Sequence, residues 1–167
     1  RPMSDPEATV LAAVDRLDIP YEVIQIDPDY ADTAAFCVEY GYPPKQSANT
    51  IVVAAKRGPE KYAVCVVQAT TRLDVNRRVR ELMGVSRLSF ASAGQMAGLT
   101  GMLEGSVTPF ALPDGIPIYV DDRIMANDWI ILGSGGRTSK IKISPDVFRK
   151  LPGAELVKDL AVEPPSQ

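Results

Sequence analysis

The chain has 167 residues, a size that favours one domain around one hydrophobic core. Apolar residues make up 46% of it, and no apolar run reaches the roughly 20 residues needed to span a bilayer. The net charge of −3 excludes the strongly basic proteins that bind nucleic acid through phosphate neutralisation alone. We therefore expect neither DNA nor a membrane as a partner. The first residues lack a signal-peptide pattern, so the expected location is the cytoplasm.

Histidine is absent, which excludes Ser-His and Cys-His nucleophile pairs and every imidazole metal site. The two cysteines, Cys37 and Cys65, are too few for a cysteine-rich zinc site, and we expect them to be reduced. We expect no metal and no cofactor. Any chemistry must therefore use backbone donors, hydroxyls, amides, carboxylates, Lys or Arg.

The first half of the chain predicts two helices, a strand and a hairpin. Apolar residues at the helical period indicate a helix over about residues 6–17, and an extended run follows at 21–26. A second helix is expected to start near Asp32 or Thr33 and to stop at Gly41. The runs 50–55 and 62–67 are rich in β-branched residues and predict a β-hairpin buried on both faces.

The second half predicts short elements in quick succession. Asp74 caps a helix that closes at Gly84, and Ser92 opens a small-residue helix that ends at Gly98 or Gly101. Four strands and one last helix are expected, the strands near residues 87–90, 116–120, 129–132 and 140–143 and the helix over 145–151.

This order mixes hairpins with helices and does not alternate strand and helix strictly. It predicts an α/β protein of the α+β type, with a mixed, largely antiparallel sheet or a partly closed barrel flanked by helices. We expect a single domain over residues 1–167, with a core from about 5 to 160. The ends, up to Ser4 and from Glu163, are expected to be flexible tails.

Two glycine-rich segments are candidates for a site. Gly133–Gly136 joins two predicted strands and is either a hairpin turn or a phosphate cradle. It matches neither a P-loop nor a dinucleotide fingerprint, so an oxidoreductase or nucleotide enzyme has little support. Gly105–Pro109 is either a bend before a strand or a wall whose backbone donors face a carbonyl oxygen.

Two segments, 72–87 and 137–150, are locally basic in this acidic chain. They are either solvated helix and strand faces or a local footprint for an RNA backbone. On the second interpretation, the residues that contact RNA are Arg77, Arg78, Arg137 and Lys140.

Four motifs follow one another in a fixed order. They are Ala48-Asn49-Thr50-Ile51-Val52-Val53, then Gly101 with Gly105-Ser106-Val107-Thr108-Pro109-Phe110, then Ile118-Tyr119-Val120-Asp121, then Gly133-Ser134-Gly135-Gly136. In this order and spacing the sequence resembles the YbaK family. That family includes free-standing aminoacyl-tRNA deacylases and the editing domain of bacterial prolyl-tRNA synthetases. The resemblance extends from the first helix to about Leu160.

The resemblance implies a trans-editing hydrolase of translation quality control, which cleaves the ester of a mischarged tRNA. Its partners would be aminoacyl-tRNA, bound weakly and transiently, and an aminoacyl-tRNA synthetase. The implied catalytic residues are Asn49, Gly105, Ser106 and Thr108. The implied substrate-binding residues are Thr50, Pro109, Asp121, Ser134, Gly135 and Gly136.

One position departs from the family. Well-described deacylases carry a lysine at the place of Asn49, and loss of its charge-assisted hydrogen bond would cost on the order of 1–3 kcal/mol. Lys45 would replace that lysine only if residues 46–48 bend back. The alternative function is therefore a catalytically weakened module that binds an amino acid, an aminoacyl-tRNA or a synthetase without turnover.

Overall fold

The computed structural model describes residues 5–164. Most of the expected flexible tails, residues 1–4 and 165–167, lie outside the described residues. The α-helices are α1 (Pro6–Asp15), α2 (Thr33–Tyr40), α3 (Arg80–Met83), α4 (Ala93–Thr100) and α5 (Val147–Lys150). The strands are β1 (Tyr21–Gln25), β2 (Ala48–Ala55), β3 (Tyr62–Gln68), β4 (Arg72–Leu73), β5 (Leu88–Phe90), β6 (Ile118–Asp121), β7 (Ile130–Gly133), β8 (Ser139–Ile143), β9 (Ala154–Val157) and β10 (Ala161–Val162).

The helix boundaries follow local chemistry. The Asp5 carboxylate accepts from the Glu7 amide, and Ser92 forms a reciprocal capping box with Gln95. Gly41 ends α2 in the left-handed conformation, as its position in the sequence predicts. The helix predicted after Asp74 begins instead with a π-helical turn, Val75–Val79, that leads into α3.

The strands form two main sheets. One has five strands in the order β5-β2-β3-β6-β9 and is antiparallel except for the pairs β3–β6 and β6–β9. The other is antiparallel in the order β1-β8-β7, and β10 pairs with β4 separately. The predicted mixed, largely antiparallel architecture is confirmed, and no closed barrel forms from the strands within residues 5–164.

Apolar side chains cover both faces of the β2–β3 hairpin, as expected. One face packs with α1 and with the three-stranded sheet in the larger core cluster. The other face packs against residues of β4, the π-helical turn and β9. Both cysteines are buried free thiols, and burial raises the pKa of Cys65 to about 12.

Some short elements differ from the prediction. Helix α5 spans only Val147–Lys150, and β6 begins at Ile118, two residues later than expected. Strands β4, β9 and β10 were not predicted. Strand β9 pairs in parallel with β6 and β10 pairs with β4, so each depends on a distant partner that a short local pattern does not indicate.

Candidate active site

A cavity of about 520 Å³ lies between the two sheets and the start of α2. Its volume is within the range of small-molecule sites, roughly 300–1,000 Å³. Most of its wall is apolar. Its lining residues are Asp32, Thr33, Phe36, Ser47, Ala48, Asn49, Thr50, Ile51, Val52, Phe90, Ala91, Met96, Gly105, Val107, Ile131, Leu132, Gly133 and Lys140.

Asn49 enters the cavity from β2, and its carboxamide is oriented by α2. The Thr33 hydroxyl, in the first turn of α2, donates to Oδ1 of Asn49 at 2.6 Å. Within residues 5–164 no group accepts from Nδ2 of Asn49, so both of its amide protons remain available to a ligand. The neighbouring Thr50 also lines the cavity, and its buried hydroxyl has no partner among the described residues.

Alternate residues of the 105–108 segment face the cavity. Gly105 and Val107 line it, whereas Ser106 and Thr108 do not. The amide of Ser106 donates to the Leu103 carbonyl at 3.0 Å, and the Thr108 amide lies 3.4 Å from the Met102 sulfur. Within residues 5–164 the amides of Gly105 and Val107 have no acceptor. These two amides are therefore the backbone donors that the segment offers to a bound oxygen atom.

The predicted catalytic residues Ser106 and Thr108 lie behind this wall. Both side chains are buried, and neither hydroxyl has a partner among the described residues. The structure thus brings Asn49 and Gly105 to the cavity and leaves these two hydroxyls outside it.

Gly133 allows the 105–108 segment to approach β7. A Cβ atom on Gly133 would lie 2.8 Å from the carbonyl oxygens of both Ser106 and Val107. Since backbone oxygens cannot move aside as a flexible side chain does, the cavity wall requires glycine at this position.

Lys140 lies on β8, directly opposite Gly133 in the β7–β8 register. It lines the cavity with only 4% of its surface exposed, so it belongs to the cavity wall and not to an outer surface along which RNA would run. Its Nζ lies 5.6 Å from the centre of the Phe36 ring. No hydrogen bond or ion pair to Nζ is found within residues 5–164.

Burial lowers the pKa of Lys140 to about 8. Three neighbouring groups modify this effect: Asp32 raises the pKa, Arg137 lowers it, and Cys37 raises it. The ammonium form is therefore the majority form at neutral pH, and the amine form is accessible in mild alkali.

Arg137 contacts residues from separate segments of the chain at the rim of the cavity. Its guanidinium donates to the carbonyls of Glu104 at 2.8 Å and Pro28 at 2.9 Å, and lies 3.5 Å from the Asp32 carboxylate. A Cβ on Gly105, which has a φ of +78°, would collide with the Asp32 carboxylate. The predicted RNA contact Arg137 thus makes several contacts within the protein.

Phe90, 61% exposed, lies at the mouth of the cavity.

The Ser134–Gly136 turn packs under α1 and does not line the cavity. The Gly135 amide donates to the Ser106 carbonyl at 2.7 Å, so it is not available to a substrate oxygen. The Glu7 carboxylate accepts from Thr138 at 2.5 Å and from Ser139, and the hydroxyls of Ser139 and Ser134 are 2.9 Å apart. A Cβ on Gly136 would collide with Glu7.

Other predicted site residues also lie elsewhere. Pro109 lines a second groove, formed mainly with residues 111–118 and 151–153. The Asp121 carboxylate accepts from the amides of Arg123 and Ala161, which gives it a structural environment away from the cavity. Lys45 is exposed in the turn Pro44–Gln46 and does not line the cavity either.

The predicted RNA contacts Arg77 and Arg78 are on the π-helical turn, away from the cavity lining. Arg77 pairs with Asp74 at 3.4 Å, and Arg78 donates to the Lys158 carbonyl at 3.1 Å. An RNA footprint at this turn stays a prediction.

Sequence reasoning missed the cavity positions of Lys140, Thr33, Asp32 and Phe90. The signal for Lys140 was present in β8, because Ile141 and Ile143 alternate with the lysines and face the core. The sequence predicts that the basic residues of this segment are either solvated or in contact with RNA, whereas Phe36 on α2 covers β8 at Lys140. Only the tertiary contact distinguishes these two outcomes.

Within residues 5–164, no helix has both the length and the apolar character required to cross a membrane. The same residues contain no group of three or more His, Cys, Asp or Glu side chains arranged to hold a metal ion.

Solved structures share this fold over nearly the whole chain. A candidate trans-editing enzyme for prolyl-tRNA synthetase is 19% identical, with a TM-score of 0.80 over 98% of this chain and 100% of its own. The protein APE2540 is 23% identical, with a TM-score of 0.80 over 92% of this chain and 99% of its own. A scaffold protein used for epitope backbone grafting is 18% identical, with a TM-score of 0.79 over 97% and 100%.

These identities establish the fold alone, and no curated protein matches the sequence. The family assignment comes from the model of the aminoacyl-tRNA editing domain, which matches residues 27–151 and so includes every residue that lines the cavity. The resemblance to YbaK proteins seen in the sequence is confirmed, and the chain belongs to the aminoacyl-tRNA editing domain family.

Proposed function

We propose that this protein is an aminoacyl-tRNA deacylase that acts in trans and hydrolyses the ester of a mischarged tRNA in the cytoplasm. The observation that supports the proposal is that three residues with an unpaired donor line one cavity. The Nδ2 group of Asn49 and the amides of Gly105 and Val107 belong to residues that line the same 520 Å³ volume. Unpaired donors in a mainly apolar cavity suit a small ligand that carries carbonyl oxygens.

The chemistry requires little from the protein, because an aminoacyl ester is already reactive. Water attacks the carbonyl carbon, the carbonyl oxygen becomes negative, and the ribose oxygen leaves with a proton. Backbone donors fixed in place stabilise the negative oxygen without reorganisation. The substrate amine or the ribose 2′-hydroxyl accepts the proton that the water loses. This route needs no histidine, in agreement with the composition.

The cavity mouth suits the end of the tRNA. Phe90 is exposed there, and an exposed aromatic ring offers a stacking surface to an unpaired base. Such contact is weak and transient, as expected for an acidic chain. One structural neighbour is a candidate trans-editing enzyme for prolyl-tRNA synthetase, which makes tRNA charged by that synthetase the first substrate to test.

The test is ester loss from a panel of mischarged tRNAs carrying alanyl, seryl and cysteinyl groups. We expect the wild type to accelerate hydrolysis of at least one ester. Asn49→Ala should lower kcat/KM by about 10- to 100-fold, since a hydrogen bond to the substrate is worth about 1–3 kcal/mol when its loss strands a buried partner. The matched control is Asn76→Ala, at an exposed asparagine outside the cavity.

Two results contradict the proposal. If the wild type accelerates no ester and Asn49→Lys gains activity, the protein is the weakened binding module. If Asn49→Ala and Asn76→Ala are equally active, the Asn49 carboxamide takes no part in hydrolysis, and the set of donors on which the proposal rests is wrong.

A further inference from the structure

We propose that Lys140 is a catalytic residue of this cavity and that its ammonium group binds the carbonyl oxygen of the aminoacyl ester. The inference rests on the proposed deacylase function and goes beyond it, since it assigns the cation of the site to β8. In the transition state, this ammonium is the one full positive charge that the residues lining the cavity contribute beside the developing oxyanion.

The first argument is position. Among the described residues, Lys140 is the only Lys or Arg that lines the cavity, and Asp32 is the only acidic residue that does so. Asp32 is exposed at the rim and is engaged by Arg137, whereas Lys140 is buried in the wall. The cavity interior therefore contains one cation without a paired anion.

The second argument is the unusual state of this lysine. Fully buried lysines are rare unless they are paired, because removing the ammonium group from water is costly. The Phe36 ring, 5.6 Å away, compensates only part of that cost. An apolar side chain of similar length would fill the same space more favourably. The fold thus maintains a buried, unpaired cation at the place where an anionic transition state would form.

The neighbouring lysine on the same strand provides a contrast. Lys142 is two residues further along β8, only partly buried, and its Nζ lies 4.5 Å from the centre of the Trp129 ring. It does not line the cavity. Lys142 has the ordinary structural role of a lysine packed on an aromatic ring, and Lys140 does not.

A carbonyl oxygen fits this position better than a tRNA phosphate. Only 4% of Lys140 is exposed, so a ligand must enter the cavity to reach it. The aminoacyl group is the part of the substrate small enough to enter, while the polynucleotide backbone stays outside. Asn49 and the amides of Gly105 and Val107 then complete a set of donors around the reacting carbonyl.

The step balances without a further reactant. The water oxygen forms a bond to the carbonyl carbon, and the π electron pair moves to the carbonyl oxygen beside the Lys140 ammonium. The pair then returns, the bond to the ribose oxygen breaks, and that oxygen takes the proton that the water lost to the substrate amine or to the 2′-hydroxyl. Lys140 stays protonated throughout and acts by charge alone.

The first experiment compares Lys140→Met with Lys142→Met on the esters that the wild type hydrolyses. We expect kcat/KM to fall by about 100-fold or more in Lys140→Met, the range for loss of one oxyanion-stabilising group. Lys142→Met should stay within about twofold of wild type. If both variants match the wild type, Lys140 is not catalytic, while the deacylase function stands. If the wild type hydrolyses no ester, the deacylase function fails and the role of Lys140 fails with it.

The second experiment needs no variant to be active. Carbon-13 labelled lysine gives an NMR signal for each lysine, and the Lys140 signal is the one missing from Lys140→Met. We expect that signal to titrate near pH 8 in the free protein. A stable amide analogue, an aminoacyl group joined to the 3′-nitrogen of adenosine, should shift it and raise its pKa. If the saturating analogue leaves the Lys140 signal and its titration unchanged, the proposed contact is wrong.

Discussion

Two polar regions on either side of the β7–β8 hairpin have opposite characters. On the cavity side, the ammonium of Lys140, the Asn49 Nδ2 group and two backbone amides have no partner among the described residues. On the α1 side, Glu7, Thr138, Ser139 and Ser134 form a chain of hydrogen bonds that ends on backbone carbonyls. Residues 134–140 contribute to both regions, with Lys140 on the cavity side and Ser134, Thr138 and Ser139 on the α1 side.

This difference distinguishes polar groups that are available to a ligand from polar groups that stabilise the fold. A buried polar group without a partner costs about 1–3 kcal/mol, so the buried groups of the cavity side, the Lys140 ammonium and the Val107 amide, lower the stability of the empty protein. Such a cost is retained where a ligand provides the missing partner. The α1 side gains stability from its complete network and offers nothing to a ligand. Variants on the cavity side should therefore affect activity, and variants on the α1 side should affect stability.

The largest effect is expected at Gly133, where the two regions join. In Gly133→Ala the new Cβ meets two backbone oxygens at 2.8 Å, so the free energy of unfolding should fall by about 3 kcal/mol or more. The displaced 105–108 segment should also abolish deacylation. Urea denaturation and the ester assay measure the two effects.

The control is Gly98→Ala, at an exposed position of α4 where a Cβ meets nothing within 4 Å. It should raise stability by up to about 1 kcal/mol, because alanine favours the helix. Equal stability of Gly133→Ala and wild type would mean that the wall does not depend on this close approach.

The second effect is expected in Lys140→Met, which should become more stable while it loses activity. The pKa of Lys140 falls from 10.5 in the unfolded chain to about 8 in the folded one. Between these values the unfolded state binds a proton that the native state lacks, so stability rises with pH. At neutral pH both states are protonated, and the buried charge costs roughly 3 kcal/mol, at about 1.4 kcal/mol per pK unit.

Lys140→Met should remove both the free-energy cost of the buried charge and the dependence of that cost on pH. At pH 7 the variant is expected to unfold at a higher urea concentration than the wild type. The difference in stability between the two proteins should shrink as the pH rises above 8 and should disappear above 10.5, the pKa of Lys140 in the unfolded chain. Lys142→Met serves as the reference for other groups that titrate in this range, among them the Cys65 thiol, whose pKa is 9.0 in the unfolded chain and about 12 in the folded one. A constant difference between wild type and Lys140→Met at every pH would contradict the buried-charge explanation.

The sequence predicted most of the helices and strands, but it did not predict strands β4, β9 and β10 or the composition of the cavity wall. Local signals predicted the end of α2, the start of α4 and the β2–β3 hairpin, because caps, glycines and β-branched runs act over a few residues. The glycine motifs looked alike in sequence. Whether a glycine turn faces a cavity, as Gly105 does, or packs under a helix, as Gly136 does, depends on contacts with residues far along the chain.

The position of Lys140, like that of the glycine turns, depends on contacts with residues far along the chain. Its sequence position in a basic segment predicted either a solvated face or a contact with RNA, whereas the structure buries it in the cavity wall. The cover that α2 provides at Phe36 is a long-range packing feature and is invisible in the local pattern. Asn49 was found because it lies within a motif, whereas its orienting partner Thr33 is 16 residues away.

The smallest effect, and the sharpest test of the comparison, is at Glu7. Glu7→Ala removes the carboxylate that accepts from Thr138 and Ser139, so stability should fall by about 2 kcal/mol. Part of the loss comes from an acidic side chain in the first turn of α1, which the helix dipole favours by about 0.3–1 kcal/mol. Glu39→Ala, at an exposed position of α2, should change stability by less than about 0.5 kcal/mol. Under conditions where Glu7→Ala is fully folded, kcat/KM should match the wild type, because the α1 side contributes no group to the cavity. A large loss of kcat/KM in the folded Glu7→Ala protein would show that the Ser134–Gly136 turn takes part in the reaction. The division into a cavity side that serves activity and an α1 side that serves stability would then be wrong.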